Sequence, residues 1–227
     1  MAEAQNDIDQ QQFSQALSVL SQISNQDQEP VVLLVTSAYA GLAGFRALQI
    51  YDEFYNNQNI SPPILILFEL SSQYSIDYIN YSRSAISAID NYNDDIQSRD
   101  YELNLPFALV NFYKISQILL NDSDLEHVGT FSKNWDPCSE ADFPISDVRE
   151  IIVALNQGIM AINQIRTVVN NADVNLVFGL ITQIQNDIGV NTGVLDADAV
   201  QDTDTVTFRT FINQTVLSNQ NVCPSTS

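Results

Sequence analysis

The chain has 227 residues and a formal net charge of -20, from 8 Lys+Arg against 28 Asp+Glu. So acidic a balance excludes nucleic acid and anionic membrane as partners, because a phosphate surface repels it. What survives is a basic partner, a cation, or charge held for solubility. With 45% hydrophobic residues the composition is globular, and the length suffices for one sizeable core or two small ones packed together.

Residues 1–12 are polar and acidic, without the apolar stretch of a secretory signal, and read as a polar tether. Two placements fit: a cytosolic protein, or a mature exported chain bearing an added initiator Met, as in a lipoprotein whose anchor has been cut away. Lysine occurs only at Lys114 and Lys133, amid abundant Asn and Gln. That surface is more usual outside the cytoplasm, so the periplasm or cell surface is the favoured location.

The organising stretch runs from Phe13 to Tyr51. Phe13, Ala16, Leu17, Leu20 and Ile23 recur at three- and four-residue spacings, which puts them on one helix face. Asn25 to Glu29 break that helix, and Pro30 suits the opening of the next. From Val31 to Val35 the second helix is apolar nearly all round, so it belongs in a core or a bilayer. Thr36, Ser37 and Gly41 interrupt the run, whereas a bilayer crossing needs about 20 predominantly apolar residues. Core helix is therefore the reading. Ala38, Ala40, Gly41, Ala43 and Gly44 are small enough for a neighbouring helix to approach closely.

Phe13 followed by Ala16, Leu17 and Leu20, then Asp27 to Pro30, then Val35, Ala38 and Tyr39, resembles one boundary between tetratricopeptide (TPR) units. The second helix of one unit would run into the first helix of the next. The resemblance covers residues 13–51. It implies stacked antiparallel hairpins and a protein- or peptide-binding scaffold, and it carries over no catalytic residue. The groove beside the second helix would receive a peptide or partner helix, with Tyr39, Arg46 and Tyr51 as contacts.

Further along, Ser61-Pro62-Pro63 punctuates the chain before a short apolar helix over 64–70. Ser75 is placed to cap a helix carrying Ile76, Ile79, Ile86 and Ile89. An acidic loop from Asp90 to Tyr101 precedes a helix opening at Pro106, with Phe107, Val110, Tyr113, Ile118 and Leu119 on its apolar side. Residues 121–143 lack periodicity and hold His127, Trp135 and Cys138. A loop of that length is usually functional or pinned by its own side chains. Trp135 reads as the pin, and it stays among the binding candidates because a site would be sought here first.

Asp147 with Glu150 fits a capping box for a helix from Pro144 to Ile165. Asn170 and Asn171 break the chain before an antiparallel partner carrying Val177, Leu180, Ile181, Ile184 and Ile188. Asp196, Asp198, Asp202 and Asp204 crowd a short polar run, as Ca²⁺ ligands would, although carboxylates also suit a helix start without any metal. A last helix holds Phe208, Phe211, Ile212, Val216 and Leu217, while alternation at 205–208 also suits a strand.

Cys138 and Cys223 both fall in loop sequence. Paired, they would close a loop of roughly 85 residues worth about 4 to 5 kcal/mol, and the pairing needs an oxidising compartment. Unpaired, they are two unrelated thiols. Their spacing suits no zinc or redox motif. The lone histidine, His127, has no G-x-S-x-G turn to serve, and neither glycine pattern for cradling phosphate occurs. Asn-x-Ser/Thr triplets begin at Asn59, Asn80, Asn121 and Asn213, and matter only in a secretory eukaryotic setting.

The expectation is an all-α protein of about seven or eight helices in antiparallel hairpins, a short TPR-like solenoid or irregular bundle. One domain over 13–217, with room for a subdivision near 121–143, would follow the tether and precede a tail at 218–227. It would bind a protein or peptide and catalyse nothing, without a cofactor. The alternatives are an assembly subunit whose acidic surface binds cations, and an enzyme using the 121–143 loop.

Overall fold

The computed structural model describes residues 1–46, 56, 64–71, 74–124, 132, 134–169, 172–190, 193–218 and 222–224. Among the described residues the regular structure is entirely helical. The helices are α1 Ala2–Asp9, α2 Phe13–Leu20, α3 Glu29–Leu42, α4 Leu65–Glu69 and α5 Ile76–Tyr92. They continue as α6 Tyr101–Ser123, α7 Ile145–Val168, α8 Ala172–Ile188 and α9 Asp202–Thr215, with a 3-10 turn at Ala197–Ala199. That is nine α-helices among the described residues, where about seven or eight were expected for the chain.

The segment expected to be a polar tether is largely α1, whose Ala4 is wholly buried beside Leu20 of α2 and Val31 of α3. Its polar face hid one small apolar contact. The α2–α3 hairpin is close because Gly41 has no side chain: a Cβ there would lie 2.3 Å from the Phe13 ring. Pro30 stands in the first turn of α3, where its missing N–H is not needed.

From there each long helix packs on the next, α3 on α5, α5 on α6, α6 on α7 and α7 on α8, while α9 closes over α7 and α8. Asn156 meets Gln185 and Arg166 meets Asn175, so α7 and α8 run antiparallel as expected. At the centre α6 is buried almost all round, with Phe107, Phe112, Ile115 and Leu119 fully enclosed. A wholly interior helix lies within core on every side.

Two helix starts differ from the sequence expectation. α6 begins at Tyr101 and places Pro106 inside it. The N–H that proline lacks would have bonded the Glu102 carbonyl, and Glu102 is exposed, so water can take that place. α7 begins at Ile145 with Pro144 at its N-cap and no side-chain cap bond. The Asp147–Glu150 capping box does not form, because Asp147 already lies within the first turn and Glu150 is drawn inward. Ser75 likewise precedes α5 without a side-chain cap bond. The strand alternative at 205–208 is helix, and Asn170 and Asn171 lie outside the described residues.

Cys138 and Cys223 are joined by a disulfide. The residues around Cys138 are held by their own side chains: Trp135 Nε1 donates to the Asp142 carbonyl at 3.2 Å and the Cys138 N–H to Asp136 at 2.9 Å. Trp135 is buried against Phe143. On the other side the Cys223 N–H donates to Thr210 Oγ1, so Cys223, expected in a tail, is held against α9. No helix among the described residues is long and apolar enough to cross a membrane.

Candidate functional site: the groove between α3 and α5

A groove of about 620 Å³ opens between α3 and α5. Thr36 of α3 and the Ala85 carbonyl of α5 meet beneath it. Val32, Val35 and Tyr39 from α3 and Ala88 from α5 supply apolar surface, while Asn80, Ser84, Ser87 and Asn91 supply neutral polar groups. Asp27 stands at the end where α3 begins and Tyr92 where α5 finishes. The same apolar residues that make α3 a core helix leave one flank uncovered here, since Val35 and Tyr39 are only half-buried.

Arg83 is the cation of this lining, and it is already engaged. Its Nε and Nη2 donate to the two Glu150 carboxylate oxygens at 2.9 and 2.5 Å, and Nη1 donates to Asn80 Oδ1 at 2.9 Å. Glu150 also receives Lys114 Nζ at 3.2 Å. Burial alone would raise the Glu150 carboxyl, yet the Arg83 hydrogen bonds and the Lys114 charge hold it below the usual range. Lys114 is 6% exposed, and burial pulls its ammonium below the usual lysine range against the pull of Glu150.

Behind Glu150 lies a pair of carboxyls, Asp122 of α6 and Asp147 of α7. Burial pushes Asp122 up to about 7, helped by the charge of Asp147, and burial with the charge of Glu150 raises Asp147. One proton shared between two such groups relieves the repulsion. The cluster is thus centred on Glu150, which Arg83 and Lys114 attract and Asp147 repels, and Asp147 in turn repels Asp122.

Of the residues singled out from sequence, the groove holds Tyr39. Arg46 is exposed just past α3 and outside this lining, and Tyr51 and His127 lie outside the described residues. Trp135 is buried in its own loop. Of the four aspartates, Asp196 accepts the Asp198 N–H and Asp202 pairs with Arg149 at 2.9 Å. Among the described residues no three Asp, Glu, His or Cys side chains gather as a metal site, so the expected Ca²⁺ ligands do not converge. Sequence reasoning missed Arg83, Lys114, Glu150 and Asp122. The available signal was a lone lysine within the apolar run from Phe107 to Leu120.

No protein-family model, no curated protein and no solved structure matches this chain.

Proposed function

We propose that the protein acts by binding, as a non-catalytic helical scaffold, and that the groove between α3 and α5 receives a peptide or helix of a partner. The observation that carries this is the lining itself: apolar positions from α3 and α5 beside uncharged hydrogen-bonding groups, with the Arg83 cation neutralised from behind. Aromatic and aliphatic anchors with neutral polar neighbours are what a helix-in-groove contact uses. The TPR-like reading of residues 13–51 belongs to the same proposal, since such hairpins present an open helix face to a ligand. An oxidising, extracytoplasmic compartment is part of it as well, supported by the Cys138–Cys223 bond.

Selection of a displayed random-peptide library on the immobilised protein tests this. Ser87 is exposed and lines the groove, so Ser87→Trp fills it without touching the core. Selected peptides should bind the parent protein and lose at least tenfold in affinity against Ser87→Trp, with helix content unchanged. Peptides indifferent to that substitution would place binding elsewhere.

A further inference from the structure

The chemistry of the occupant can be taken one step further, granted that the groove is the binding site. Along α5 the lining runs from Asn80 to Tyr92, a span of about 18 Å, or roughly three helical turns. A helix of that length and about 10 Å across encloses roughly 1400 Å³. That is more than twice the 620 Å³ of the groove, so one face is seated and the other stays in solvent.

Charge then discriminates among amphipathic helices. At the groove's polar wall Arg83 donates to both Glu150 oxygens and to Asn80, so its charge is already compensated by a carboxylate and offers an anion little net attraction. Asp27 lines the groove where α3 begins, and Glu29, two residues on and outside the lining, feels the charges of Asp100 and Glu102 at the start of α6. Burial and those two carboxylates together raise the Glu29 carboxyl above its ordinary range, so these charges repel one another. Among the described residues no cation pairs with any of the four. A chain carrying -20 supplies no compensating field.

We infer that the groove's occupant is one face of a basic amphipathic helix, apolar residues on Val32, Val35, Tyr39 and Ala88, and its cations toward Asp27 at the groove's end and the carboxylates Glu29, Asp100 and Glu102 beyond it. Arginine or lysine there relieves the carboxylate repulsion, and a neutral helix of the same shape gains only the apolar contact. Electrostatic complementarity of this kind sets partner choice and salt dependence more than total affinity.

Three fluorescein-labelled 14-residue amphipathic peptides test it, sharing one leucine stripe and differing in a polar face of Lys, Gln or Glu. Anisotropy titrations at 50 and 300 mM NaCl, on the parent protein, Ser87→Trp and Asp27→Asn/Glu29→Gln/Glu102→Gln, read the result. The Leu/Lys peptide should bind at least tenfold more tightly than Leu/Gln at low salt. It should lose about tenfold in the triple variant, in keeping with three exposed pairs, and nearly all binding in Ser87→Trp. Leu/Gln or Leu/Glu binding as tightly, while still blocked by Ser87→Trp, would remove the basic partner and leave the groove. Leu/Lys binding that ignores Ser87→Trp would be adsorption to acidic surface and would remove the groove itself. No binding by any of the three removes both.

Discussion

Replacing Glu150 with Gln should destabilise the protein by about 3 kcal/mol, and the source of that figure is Lys114 rather than Arg83. Arg83 keeps 37% of its side-chain surface exposed, so water can rehydrate its guanidinium once the carboxylate charge is gone. Lys114 keeps 7%. Its ammonium, 3.2 Å from Glu150, would remain buried with its strongest compensating charge removed, and stranding one partner of a buried pair costs roughly 3 to 5 kcal/mol. The lower end applies because Asp90 also acts on Lys114 through its charge.

Urea unfolding followed by circular dichroism measures the loss, and a double-mutant cycle isolates its cause. Lys114→Met keeps the aliphatic stem and removes the charge, so Lys114→Met/Glu150→Gln should return to within about 1 kcal/mol of the parent. The pH dependence gives an independent check. A lysine whose folded pKa is depressed is protonated in the unfolded chain but not in the folded one, so stability rises with pH between the two values. The Glu150→Gln deficit should therefore shrink from pH 7 toward pH 10. A deficit under about 1 kcal/mol, or a double variant no more stable than Glu150→Gln, would refute the stranded-charge account.

Four further outcomes follow from the structure. Cys138→Ser/Cys223→Ser opens a loop with a sequence separation of 85, and should lower unfolding free energy by about 4.6 kcal/mol on the chain-entropy relation, read as a shift in urea midpoint. Asp122, raised to about 7, takes up a proton when folded that the unfolded chain does not hold between about pH 4 and 7. Stability from this group therefore grows as pH falls through that window, by on the order of 4 kcal/mol, and Asp122→Asn should flatten the slope. Gly158→Ala would set a Cβ 2.4 Å from the Phe112 ring and should destabilise by about 1 to 3 kcal/mol. Gly179→Ala meets nothing within 4 Å and should stabilise α8 by up to about 1 kcal/mol; both are read as thermal midpoints.

The helices were legible in the sequence because their apolar residues recur at the helical period. Ile79, Ile86 and Ile89 mark α5, and Val148, Ile151, Ile152 and Leu155 mark α7. Their limits were less so. α1 shows one buried alanine in a polar run, too little to register as a stripe, and the start of α6 was masked by reading Pro106 as an opener when a proline five residues in is tolerated. Of the site, Tyr39 could be named because it sits on the helix whose apolar surface exceeds what one neighbour covers. Arg83 and Glu150 could not, since they stand 67 positions apart and each alone reads as a solvated charge.

The polar residues of α6 explain why the groove keeps its form. Gln117 accepts the Ser82 hydroxyl of α5 at 2.7 Å and donates to the Ala43 carbonyl just past α3 at 3.0 Å. One side chain thus ties both groove walls to the same turn of the central helix. Sliding either wall by a residue would strand a buried amide, at roughly 1 to 3 kcal/mol for each unmet group. Apolar contact alone would resist such a slide far less, because isoleucine and leucine repack with small loss. Ser116 and Lys114 extend the arrangement, receiving the Ser71 N–H and reaching Glu150 respectively. The buried polar groups therefore act on register more than on total stability, and the groove is held in form by the helix behind it.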